Sequence, residues 1–134
     1  MNIVARKLAA LERCVERARN EHKLAGGNFR NDFTRQDASV LNVTRACEVA
    51  IDLANMAIRK HRLGVPGEAR ESFALLERGG LVSSELSTRL QRMVGFRNIA
   101  VHQYQDLDLD IVESVIGQGL NDLLTFAEKI RTHL

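Results

Sequence analysis

A single proline, Pro66, stands in a chain of 134 residues where apolar residues return every three or four positions. That spacing lays one apolar stripe along a helix and suits no strand, whose side chains alternate with a period of two. Leu, Arg and Ala are the commonest residues and Glu is abundant, and these are good helix formers. Aromatic residues make up only 4% of the chain, with no Trp and a single Tyr. The fold expected is all-α: an antiparallel bundle of about five helices in one domain spanning residues 1–134.

Glycine pairs and capping residues set the expected boundaries. The first helix runs from near Asn2 to about Leu24, with Val4, Leu8, Leu11, Val15 and Ala18 on one face. Gly26-Gly27-Asn28 ends it. The second begins after Thr34 as N-cap, with Asp37 complementing the free amides and the helix dipole. It carries Ala38, Leu41, Cys47, Ala50, Leu53, Ala54 and Ala57 inward and ends near His61. Pro66 suits the first position of a third helix that stops at Gly79-Gly80. Ser83 or Ser84 caps the fourth, with Leu86, Leu90, Met93 and Val94 as its apolar residues. Asp110 and Glu113 are spaced as a capping box at the start of the fifth, a long stripe from Val112 to Leu134.

Bulk properties exclude several classes. No segment reaches the roughly 18 consecutive apolar residues of a membrane span. The stretch Met1–Leu11 lacks the continuous apolar core of a signal peptide, so a cytoplasmic protein is expected. Cys14 and Cys47 have no C-x-x-C partner and read as small buried hydrophobes. His22, His61 and His133 match no metal-ligand spacing, so neither metal nor cofactor is expected. A net charge of +2 does not announce nucleic-acid binding, yet a local patch would serve. Arg59-Lys60-His61-Arg62 reads either as a cationic helix end or as a contact to an RNA backbone, which Arg89 and Arg92 would extend. Gly117 and Gly119 lower helix propensity in the last helix, which close packing on a neighbour would explain. Phe29 and Phe33 read equally as core anchors or exposed contacts.

The chemistry concentrates in Arg97-Asn98-Ile99-Ala100-Val101-His102-Gln103-Tyr104. Arg97 is a permanent cation whose planar fork matches phosphate. His102 exchanges a proton near neutral pH. Asn98 donates and accepts, and Tyr104 offers a hydroxyl. Internal cleavage of RNA needs such parts: a base for the 2′-hydroxyl, a cation for the phosphorane and an acid for the leaving oxygen. On a continuous helix, however, Arg97 and His102 stand about 140° apart. Either the arginine reaches round, or the helix loosens before His102. One chain offers one such histidine, and a two-fold dimer would supply the second. Spacing alone also admits a surface ion pair for Arg97, a helix cap for His102 and a core role for Tyr104.

Arg97-x4-His102 resembles the R-x(4–6)-H signature of HEPN ribonucleases, and its extension to Tyr104 is similar to the R-x4-H-x-Y of the HepT toxins. Chain length, helical character, the phrase Val94-Gly95-Phe96-Arg97-Asn98 and the position of the motif before the last long helix fit the same family. The resemblance implies a homodimer with two motifs in one cleft and metal-independent endoribonuclease activity. It makes Arg97 and His102 catalytic, with Asn98 supporting them. It further implies the toxin of a type II (type VII-like) toxin–antitoxin system, neutralised by an MntA-like nucleotidyltransferase antitoxin that AMPylates Tyr104. The alternative is a non-catalytic nucleotide-binding partner of a nucleotidyltransferase; a third reading is a plain helical interaction protein.

Overall fold

The structure is a computed structural model that describes residues 2–134, and among these it is helical without strands. Helix α1 spans Ile3–Ala25, α2 Phe33–His61, α3 Ala69–Arg78 and α4 Ser84–His102. The last rod consists of α5, Leu109–Ser114, and α6, Leu120–Arg131, joined through a π-helical turn at Val115–Gly119. Helix α2 is the centre of the bundle, in contact with α1, α3, α4 and α6. Its small residues explain this position: Ala46, Ala50, Ala54 and Ala57 are fully buried and let neighbouring backbones approach. Leu41, expected inward, is instead 48% exposed.

The interior is continuous. Leu11, Val15 and Ala18 of α1 meet Val43, Leu53 and Ile58 of α2, Phe73 and Leu76 of α3, Leu90 of α4 and Leu120, Phe126 and Ile130 of the last rod. Phe73 and Phe126 pack edge to face, with ring centroids 5.4 Å apart. Three buried hydroxyls tie successive helices while satisfying their own desolvated donors. Ser39 donates to the Ala18 carbonyl, Ser72 to Asn55 Oδ1 and Ser87 to the Phe73 carbonyl, at 3.0, 2.7 and 3.2 Å. Phe29 is an anchor at 2% exposure, whereas Phe33 stands 73% exposed. Cys47 is buried, and its thiol is pushed up to about 12, chiefly by desolvation.

Several boundaries are corrected by side chains that the local pattern did not rank. Asn2 caps α1, its Oδ1 accepting from Ala5 N at 2.8 Å. Gly26 ends that helix at a positive φ of 59°, a conformation glycine adopts without a Cβ clash. Asp32, not Thr34, caps α2 by accepting from Arg35 N at 3.0 Å, a carboxylate meeting a free amide. Helix α3 starts at Ala69, three residues past Pro66, because Glu71 reaches back to accept from Gly67 N at 2.9 Å and holds the turn outside the helix. Ser83 caps α4. Asp110 and Glu113 form no capping box: Asp108 accepts from Asp110 N, while Glu113 meets His22 at 3.0 Å and Arg30 at 3.1 Å. These contacts fasten the last rod to α1 and the following 3-10 turn, Gly26–Asn31. Gly119 sits where an added Cβ would lie 2.7 Å from Met93 Sδ, so close packing within the chain requires it; Gly117 faces open space.

Candidate active site at the C-terminal end of helix α4

Helix α4 carries the candidate residues and keeps its geometry to the end. His102 is its last residue, and the Gln103 amide still donates to the Ile99 carbonyl at 2.8 Å. The chain loosens only afterwards, into the 3-10 turn Tyr104–Asp106. The expectation of loosening before His102 is thereby excluded, and the angular separation of Arg97 and His102 stands.

The side chains then diverge. Arg97 turns toward α2, where its Nε lies 2.9 Å from Glu48 Oε1. The pair is within ion-pair range, but the Nε–H is not aimed at the carboxylate and makes no hydrogen bond. Distance, rather than hydrogen bonding, is therefore the measure of this contact. Arg97 Nη1 donates to Asn98 Oδ1 at 2.8 Å, so Asn98 braces the guanidinium from the neighbouring position. The arginine side chain is 18% exposed against 51% for Glu48. The cation is therefore partly desolvated and preorganised. His102, by contrast, is exposed and forms no side-chain hydrogen bond among the described residues.

Tyr104 is 41% exposed, and its hydroxyl donates to Asp37 Oδ1 across 67 residues of sequence. Burial first, and then the hydrogen bond and charge of Asp37, push the phenol up from 10.0 to about 12, since each disfavours the phenolate. Thus Asp37 does not serve the end of α2, as its spacing suggested, but holds the tyrosine. Asp37 and Glu48 are the two participants that reading the sequence missed. They are eleven residues apart, close to three turns of about 3.6 residues, and so share one face of α2. That shared face was the only signal; which helix covers it is a tertiary fact.

The end of the motif, from Val101 to Tyr104, lies on exposed surface. Cavities of about 450 and 420 Å³ lie elsewhere, one between the start of α1 and the end of α6, the other between the α3–α4 turn and α6. Neither takes in Arg97, His102 or Tyr104. Ile99 and Val101, beside the motif, are 39% and 53% exposed. Elsewhere, Lys60 donates to the backbone carbonyl of Leu134 and a ring nitrogen of His61 meets the backbone carbonyl of His133, so the middle two residues of this basic run are occupied with the C-terminal residues. Arg89 is paired to Asp122 at 3.7 Å, while Arg92 is exposed. No three His, Cys, Asp or Glu side chains gather to hold a metal among the described residues, and no described helix is long and apolar enough to cross a membrane.

Comparison with known proteins gives the family of the chain. Residues 4–130 match the family model described as ribonuclease HepT-like. The chain is 43% identical over 130 residues to the mRNA nuclease HepT of Shewanella oneidensis, covering 97% of each chain. It is 21% identical over 132 residues to the tRNA nuclease HepT of Aphanizomenon flos-aquae, covering 98% of this chain and 90% of that one. A solved structure of the tri-AMPylated Shewanella oneidensis HEPN toxin in complex with MNT antitoxin superposes with a TM-score of 0.92 at 43% identity, over 98% of this chain and 99% of that one. A toxin–antitoxin complex with AMP-PNP superposes with a TM-score of 0.93 at 42% identity, with the same coverage. This all-helical chain, with Arg97 and His102 at the end of its fourth helix, belongs to the HepT-like ribonuclease family.

Proposed function

We propose that this protein is the toxin of a toxin–antitoxin pair, a metal-independent endoribonuclease acting in the cytoplasm at a cleft between two copies of the single domain formed by residues 1–134. The observation that carries the reading is the contrast within one helix: Arg97 partly buried and braced, His102 exposed and unengaged five residues on. In the proposed reaction His102 takes the proton of the 2′-hydroxyl, and the 2′-oxygen attacks phosphorus. Arg97 stabilises the charge of the phosphorane. The His102 of the second copy protonates the departing 5′-oxygen, which leaves a 2′,3′-cyclic phosphate.

Two features favour the dimer. Arg97 and His102 point apart on their own helix, and the two cavities of about 450 and 420 Å³ lie away from the motif. A two-fold partner seated on the exposed Ile99 and Val101 would supply the facing wall and the second histidine. Neutralisation follows from position. Tyr104 stands two residues beyond His102, and AMP attached there would add bulk and negative charge where RNA phosphates must pass. The solved relative is tri-AMPylated and bound to an MNT antitoxin, which supports a nucleotidyltransferase partner here; the part-exposed hydroxyl of Tyr104 is the acceptor this reading assigns.

Purified His102→Ala and Arg97→Ala should lose RNA cleavage and toxicity while melting as the native protein does. Full activity in both variants would refute the assignment. Sedimentation of the native protein as a monomer at the concentrations where it cleaves would refute the shared cleft.

A further inference from the structure

Asp37, near the start of α2, and Tyr104, just past the end of α4, meet at one hydrogen bond, the tyrosine Oη donating to Asp37 Oδ1. The ring remains 41% exposed, so a partner's active site has access to it while the hydroxyl is held from behind. The phenol, pushed up to about 12, keeps its proton at neutral pH. To attack a phosphoanhydride it must lose that proton, and the carboxylate already in contact with it is the acceptor at hand.

We propose that Asp37 is the general base for nucleotidylation of Tyr104: this protein carries the base for its own modification. The inference rests on the reading of Tyr104 as the AMP acceptor. The co-reactant is ATP held by the nucleotidyltransferase. The bond from Oη to the α-phosphorus forms, and the bond from that phosphorus to pyrophosphate breaks. Pyrophosphate leaves with the electron pair, and the Oη proton passes to Asp37 Oδ1. A carboxylate is a weaker base than a phenolate, so free transfer is uphill. The proton therefore moves as the new bond forms and Oη becomes acidic. The hydrogen bond occupies the O–H and leaves the lone pairs of Oη available for attack, which fixes the nucleophile's direction. Esterified, the oxygen has no proton to donate, and its phosphate stands beside the carboxylate as a like charge, so the product cannot rebuild the contact.

The test is the rate of AMP addition, followed by intact mass, with saturating nucleotidyltransferase antitoxin and ATP. The native protein should gain AMP and Tyr104→Phe none. Asp37→Asn and Asp37→Ala should transfer roughly 100-fold more slowly at saturation. The antitoxin concentration for half-maximal rate should not change, and Asp37→Glu should recover at least part of the loss. Running both Asn and Ala guards against one of them disturbing α2. Native saturating rates in the Asp37 variants, or a defect that more antitoxin abolishes, would overturn the inference and leave the tyrosine reading intact. No AMP on the native protein, or native modification of Tyr104→Phe, would overturn both.

Discussion

The two halves of α4 meet different environments, although one capped helix contains both. Its first half places Leu86, Leu90, Met93 and Val94 in the core. Its last turns present Ile99, Val101 and His102 to solvent and lean on α2 through Arg97. The buried half fixes the direction of the helix; the exposed half inherits that rigidity, braces Arg97 and leaves Ile99, Val101 and His102 facing solvent. A site at the end of a well-packed element is positioned to within the tolerance of the core while remaining open to a partner.

That contrast breaks most sharply with one substitution in each half. His102→Ala should lower RNA cleavage by about 10²–10⁴-fold, the contribution of a positioned acid or base, while stability shifts by no more than about 0.5 kcal/mol. Leu90→Ala should do the reverse: a stability loss of about 2–5 kcal/mol by denaturant unfolding, with cleavage per folded molecule retained. A large activity loss in folded Leu90→Ala would mean that the two halves are not separable. Smaller in effect is the titration of Tyr104. As the single tyrosine in a chain without tryptophan, its phenolate absorbance can be followed directly. The midpoint should fall at about 12 in the native protein and move down in Asp37→Asn. Because the folded pKa is raised from 10.0 to about 12, this group's stabilising contribution is full below the unfolded value and is lost as pH rises through the folded one. The smallest effect belongs to Glu113, whose carboxyl is held below its usual range by the hydrogen bond from His22 and by Arg30. Its contribution is present above the ordinary carboxylate pKa and lost as pH falls through the lowered one. Glu113→Gln should flatten that acid-side fall in melting temperature.

The same division explains what the sequence disclosed. The helices were legible because their signal is local: spacing of apolar residues, glycine pairs and caps. The order of polar groups from Arg97 to Tyr104 was legible because it lies on one short segment. Long-range partners left no such mark. Asp37 read as a helix-end charge and proved to hold Tyr104; Asp110 and Glu113 read as a capping box and proved to bind Arg30 and His22. In each case a carboxylate found a stronger donor from a distant element than its own helix terminus offers. Pro66 misled for a related reason, since Glu71 closes the preceding turn before the helix begins.

The most direct test of the central claim is cleavage of RNA in EDTA by unmodified native protein, with His102→Ala prepared in parallel. Cleavage should occur with the native protein alone and end in a 2′,3′-cyclic phosphate. Cleavage that persists in His102→Ala, or a correctly folded native protein that leaves total cellular RNA intact, would contradict it.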